Sequence, residues 1–247
     1  MRGTLFALAL LGIATTATAQ DPGGRVPTDH KVGGSKNITV VAHVVTHQAA
    51  WKLSDIEIEQ EMNRPYVYAS GFTNNDVQIY DIKDPTHPKK IVDWAIENPE
   101  LHRGIGAMDG KAFKIGNKYY FAQSYQFMQG SPDADLGAVI LDVTGLPDPS
   151  TVKVVARIHY PAAPGGFHNT FVYKHSDGRV LYFVTVNQSK SIIYDLAKVV
   201  AGDTTADVIV GSVPNPTPFR AFGAGSYHDF YVGYDVGRKR DVFYGAG

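Results

Sequence analysis

Val77-Gln78-Ile79-Tyr80-Asp81-Ile82, running into Lys83-Asp84-Pro85-Thr86-His87-Pro88, decides the fold, because its plan returns twice further along the chain. An apolar run closes on Asp, a turn rich in Pro or Gly follows, and a β-branched run comes next. The second copy is Val139-Ile140-Leu141-Asp142-Val143 before Leu146-Pro147-Asp148-Pro149, and the third is Ile192-Ile193-Tyr194-Asp195-Leu196. A period of about 50 to 60 residues holding four strand-sized segments is the signature of a blade repeat. The expected fold is all-β, a β-propeller of four-stranded antiparallel blades.

Outward from that stretch, alternation and turn residues predict strands over 55–59, 66–70, 77–82 and 89–94 for a first blade. A second blade is expected over 107–115, 118–124, 137–143 and 152–158, with Gly116-Asn117 as a hairpin turn. A third covers 167–174, 180–186, 191–196 and 207–213. Segments 227–234 and 241–245 supply two strands of a fourth. The β-branched run 39–45 is expected to be the strand that closes a ring, because a propeller hides its edges by pairing its termini. With the last blade incomplete, the expectation is that blades fill 39–247 of an N-terminal fragment, about half of a six- to eight-bladed ring. A complete four-bladed ring or an open stack of sheets is the alternative.

Arg2 followed by an apolar stretch too short to span a bilayer, with Ala17-Thr18-Ala19 behind it, reads as a signal peptide over 1–19. Residues 20–38 then read as a flexible lead-in. The expected location is the periplasm or the exterior of a bacterium, with no transmembrane segment after cleavage. Lys plus Arg number 23 against 24 Asp plus Glu, a near balance that gives no polyanion-binding surface, so no nucleic-acid partner is expected. Cysteine is absent from the sequence, which removes disulfides and thiolate chemistry. No nucleophile elbow, phosphate loop or His-Glu-x-x-His helix is present.

Tyr66-Val67-Tyr68-Ala69-Ser70-Gly71 followed by the 77–88 stretch resembles the LVIVD repeat of bacterial exported β-propellers, and the His168-Asn169 and His228-Asp229 strand openings are similar to that family's. The first repeat is the close match. The second has Leu-Pro-Asp-Pro at its turn, and the third has 197–202 there. The resemblance implies a propeller outside the cytoplasm and little about chemistry.

A second register bears on function. Asp55, Asp109, Asn169 and Asp229 stand at nearly the same place at the start of each blade's first strand, which lines the channel of a propeller. His168 and His228 precede two of them. One reading is a metal site with His168, His228, Asp229, Asp55 and Asp109 as ligands, suited to zinc, copper, manganese or iron, or to calcium if oxygen alone serves. The other is that Asp and Asn bond nearby backbone N–H groups while the histidines pack between blades. His168 and Asn169, as strand neighbours, should face opposite sides unless a bulge intervenes.

His102 is read as a loop histidine, and His43 with His47 as a solvent-facing pair. Tyr119, Tyr120, Tyr125, Phe127 and Tyr160 could stack on sugar or peptide, although strand aromatics normally fill the space between blades. The expected function is an exported scaffold that binds a protein, small-molecule or glycan ligand through end loops 125–136 and 214–225. A metal-dependent hydrolase or oxidase at the channel mouth is the alternative, and a purely structural envelope protein is the third class.

Overall fold

The computed structural model describes residues 35–46, 53–72, 75–98, 100–102, 104–127, 132–203, 205–218 and 225–246. The leader over 1–19 and the lead-in up to residue 34 lie outside the described residues. Four antiparallel meanders follow one another. The first is β1 (Leu53–Ile58), β2 (Tyr66–Gly71), β3 (Asp76–Asp81) and β4 (Lys89–Ala95). The second is β5 (Gly104–Ile115), β6 (Lys118–Phe127), β7 (Leu136–Asp142) and β8 (Lys153–His159). The third is β9 (Thr170–Lys174), β10 (Val180–Thr185), β11 (Lys190–Asp195) and β12 (Ile209–Pro214), and the fourth pairs β13 (Asp229–Asp235) with β14 (Arg240–Ala246). First strands pack in series, β1 on β5, β5 on β9 and β9 on β13. These are propeller blades with their first strands innermost.

Period-two alternation makes the middle strands two-faced. In β6, Tyr120 and Ala122 face the third blade while Phe121 and Tyr125 face the first. In β7, Ala138 and Ile140 go one way and Val139 and Leu141 the other. In β10, Tyr182 and Val184 meet the second blade, and Leu181 and Phe183 meet Tyr227, Phe230 and Val232 of the fourth. The aromatic region of the second blade is mostly core, since Tyr120, Tyr125, Phe127 and Tyr160 are buried.

The repeated Asp has a local physical role. Asp81 Oδ1 accepts from Lys83 N at 2.8 Å, Asp142 Oδ1 from Thr144 N at 2.9 Å, and Asp195 Oδ1 from Ala197 N at 3.0 Å. Each side chain satisfies the amide two residues on and turns the chain out of the third strand. The turns downstream share a device too. Thr86 N donates to Asp84 Oδ1 at 3.0 Å, and Ser150 N donates to Asp148 Oδ1 at 3.0 Å, so Asp148-Pro149-Ser150 does the work of Asp84-Pro85-Thr86 after a longer run-in.

Two expectations, one on 39–45 and one on the last strand of the third blade, need correction. Residues 39–46 form no strand, and only Ser35 and Ile38 make an isolated bridge, so among the described residues 39–45 closes no ring. β-Branched composition suits a strand, but pairing needs a free edge within reach. In the third blade the place of the turn is taken by a helix, α1 (Leu196–Ala201), capped by Asp195 and ended by Gly202 at φ +83°. A short second helix, α2 (Thr205–Val208), takes the start of the expected 207–213 strand, which begins instead at Ile209.

Two glycines test how closely the blades are fitted. At Gly106, φ is +109° and an added Cβ would stand 1.9 Å from the Phe72 carbonyl oxygen of the first blade, whereas at Gly178, φ is +95° with open space around it. Gly106→Ala is expected to cost roughly 3 kcal/mol or more by combining a clash with left-handed strain, and Gly178→Ala about 1 kcal/mol from strain alone. Urea unfolding of the two variants beside the parent checks this, and equal losses would show that the close approach is not tight.

Candidate functional site at the channel mouth

The first strands all start at one end of the body, and the start-of-strand polar residues link each blade to the next. Asp55 Oδ2 accepts from Gly110 N at 3.0 Å, Asp109 Oδ2 accepts from Thr170 N at 2.8 Å, and Asn169 Nδ2 donates to the His228 carbonyl at 2.7 Å. The register read from the sequence is therefore a chain of clasps between blades, made with backbone groups of the following inner strand. Ser54 Oγ adds a bond to the Met108 carbonyl at 2.9 Å, and Ser70 Oγ donates to the buried Gln123 at 2.7 Å.

Asp55 and Asp109 also share a cation. Lys111 Nζ is paired with Asp109 Oδ1 and lies 3.6 Å from Asp55 Oδ2. Burial raises Asp109 to about 7, and the adjoining Asp55 carboxylate, which bonds to it, adds to the rise against the Lys111 charge. Burial works to raise Asp55 as well, but the hydrogen bond with Asp109 and the Lys111 charge outweigh it, leaving Asp55 below its usual value. Below about pH 7, then, Asp109 keeps a proton beside the Lys111 ammonium group while Asp55 is held in its charged form. A lysine occupies the position that a metal ion would take between these carboxylates, so the structure does not gather the five expected ligands into one set.

The histidines form a separate pair. His168 Nε2 lies 3.2 Å from His228 Nε2, with the rings edge-on, and His168 Nδ1 lies 3.0 Å from Gln126 Oε1. The Gln126 oxygen places the His168 proton on Nδ1 and leaves Nε2 with a lone pair. Burial, and then the neighbouring His228, lower the pKa of His168, while Asp229 opposes them. The histidine and asparagine do not alternate as strand neighbours, because β9 begins only at Thr170. His168 N and Asn169 N both donate to Thr185 Oγ1, at 3.0 and 2.9 Å. This irregular pair of residues turns His168 toward His228 and Asn169 toward the fourth blade.

Beside these groups is an open depression of about 610 Å³ whose walls include Asp55, Asp109, Lys111, Asn169 and Asp229, with Phe171, Tyr231 and Tyr244 on one side. Tyr231 and Tyr244 are cross-strand partners, 59% and 52% exposed, and Tyr231 meets Phe171 edge-on at 5.3 Å. Asp229 Oδ1 accepts from Phe230 N at 2.7 Å.

His102 stands in irregular chain between β4 and β5, as read, and its side chain is buried. His43 lies in irregular chain, and His47 is outside the described residues. Parts of both expected binding loops, 128–131 and 219–224, are outside them as well. The sequence reading also passed over Asp133, Asp135 and His159, which stand together at the end of the second blade. Only the β7–β8 register, with His159 opposite Leu136, brings them close.

No protein-family model matches this chain, and no curated protein matches it. Among solved structures it is similar to the periplasmic gluconolactonase PpgL of Pseudomonas aeruginosa, at 10% sequence identity and a TM-score of 0.43. The match covers 68% of this chain and 41% of that one, so the chain spans under half of the neighbour's length.

The raised Asp109 gives stability a pH dependence of definite sign. Between about pH 4 and about pH 7 the folded protein keeps a proton that the unfolded chain has released, so stability falls as pH rises through that window. Asp109→Asn keeps an acceptor for Thr170 N but removes the titration. Thermal melts from pH 4.5 to pH 7.5 should fall more, or rise less, with pH in the parent than in the variant, and parallel slopes would assign the proton elsewhere.

Proposed function

We propose that this protein is an exported propeller scaffold, of the LVIVD-repeat kind, that binds a polyhydroxylated ligand of the glycan class in the channel-mouth depression. The observation that carries this reading is the pairing of exposed aromatic rings with carboxylates in one concave wall. Tyr231 and Tyr244 offer flat apolar faces, and Asp229 and Asn169 offer hydrogen-bonding groups in the lining of the same depression. Stacking on the ring faces together with hydroxyl bonding to fixed polar groups is the common way to hold a sugar. The apolar leader supports export. Among the described residues no helix is long and apolar enough to cross a membrane. Asp81, Asp142 and Asp195, each making the same turn, support the LVIVD kinship.

A second reading, a metal-dependent hydrolase or oxidase, is favoured by the 3.2 Å separation of the His168 and His228 Nε2 atoms. Around an ion with nitrogen bonds of about 2.0–2.1 Å, two tetrahedral ligands stand about 3.3 Å apart. Gln126 then acts as the outer partner that orients His168. Asp229, in electrostatic reach of His168, would supply oxygen.

Saturation-transfer NMR against a panel of neutral oligosaccharides tests the first reading. A sugar that binds the parent should bind Tyr231→Ala about tenfold more weakly, in keeping with the loss of one stacking ring. Silence across the panel, or binding indifferent to Tyr231 and Asp229, would remove it. Metal content of the parent and of the His168→Ala/His228→Ala double variant tests the second. Near-stoichiometric metal that the variant loses would establish it, and metal-free parent protein that also takes up no added zinc would end it.

A further inference from the structure

The channel-mouth depression is unevenly charged, and its charge narrows the kind of sugar it suits. Among the described residues its lining holds three carboxylates, Asp55, Asp109 and Asp229, and a single cationic side chain, Lys111. Lys111 is already engaged. It is paired with Asp109, lies 3.6 Å from Asp55 Oδ2 and stands in electrostatic reach of Glu57 on β1. One positive charge is thus shared among three acids of the inner strands. Even when Asp109 holds a proton, two carboxylates remain in the lining against one ammonium group.

Asp229 differs from the other two acids. Asp55 and Asp109 each use an oxygen on a backbone amide of the next blade and lie beside Lys111, whereas Asp229 is exposed and Oδ1 accepts from Phe230 N, the adjoining amide. The imidazole in its electrostatic reach, His168, is turned to His228 at 3.2 Å and to Gln126 at 3.0 Å. Among the described residues Asp229 therefore presents a carboxylate to the depression without a lysine or arginine beside it.

The aromatic wall is an independent feature of the same depression. Tyr231 and Tyr244, paired across β13 and β14, line it with more than half of each side chain open to solvent. An aromatic face is electron-rich and attracts a cation placed over it, and aromatic faces that carry such a contact hold ammonium ligands. A neutral sugar gains from the rings but has no charge to set against a desolvated carboxylate. An anionic sugar is repelled by the excess of acids.

We propose that the depression selects amino sugars, glycans that carry a free protonated amine, over neutral and acidic ones. This rests on the glycan reading above and adds to it the charge of the ligand. The ammonium group is met by the Asp229 carboxylate and the Tyr231–Tyr244 wall, Asn169 serves a hydroxyl, and Lys111 stays with its own carboxylates. A charge-assisted hydrogen bond is about twice as strong as a neutral one, so the amine is the group on which discrimination turns.

Calorimetric titration at about pH 6, where a sugar amine is charged, tests this with three disaccharides of the same linkage, built from glucosamine, N-acetylglucosamine and glucose. The glucosamine form should bind about tenfold more tightly than the glucose form, and acetylation of the amine should remove the gain. Added salt should shrink the difference. Asp229→Asn, at an exposed position, keeps a hydrogen-bonding side chain and loses the charge, so it should bring the ratio of the two affinities toward one. Equal binding of the glucosamine and glucose forms, or a ratio that Asp229→Asn leaves in place, would overturn the proposal while the glycan reading stands. Silence from all three disaccharides would overturn both.

Discussion

Burial of both faces of the middle strands is the constraint on which the rest of the structure depends. Because Tyr120 and Phe121, or Val139 and Ile140, point to opposite sides and both sides are apolar, the second sheet cannot satisfy itself with one neighbour. Blades must stack, and stacking brings the first strands into series. The channel, its mouth and the residues around it are consequences of that packing.

Apolar packing sets the spacing between blades but leaves their sliding and tilt loosely specified, and the polar clasps supply what is missing. Asp55, Asp109 and Asn169 each reach a backbone group of the next inner strand, 55, 61 and 59 residues away. A hydrogen bond needs alignment within a fraction of an ångström, so these bonds pin the inner ends together. At the opposite end, in the link from β1 to β2, the Arg64 guanidinium pairs with Glu59 and donates to the Val143 carbonyl at 3.0 Å. The first two blades are thereby held together at both ends, and at the mouth the clasps fix the surface that carries the His168–His228 pair and the Tyr231–Tyr244 wall.

The fold was legible because it is repetitive and local. Alternation in 77–82, 139–143 and 191–196 and turn residues after each run are readable without knowing any neighbour, and the strand boundaries fall within a few residues of expectation. The helix α1 carries its own signals, Asp195 ahead of it and Gly202 behind it, and the sequence reading assigned it no element. The run 39–45 shows the limit of composition, since β-branched residues describe what a strand would contain and not whether an edge awaits it.

The site was legible only as a register. The sequence by itself determined that one polar residue opens each inner strand and that two are preceded by histidine, because equal offsets in a repeat must fall at equal places in the blades. Tertiary structure alone decided what those residues do. Whether a carboxylate clasps a backbone amide, holds a proton beside Lys111 or faces an empty wall depends on groups about 60 residues away, and on bulges that reset which way a side chain points. Asp133, Asp135 and His159 have no common period at all. They meet because a turn and a strand end converge in space, which no one-dimensional pattern records.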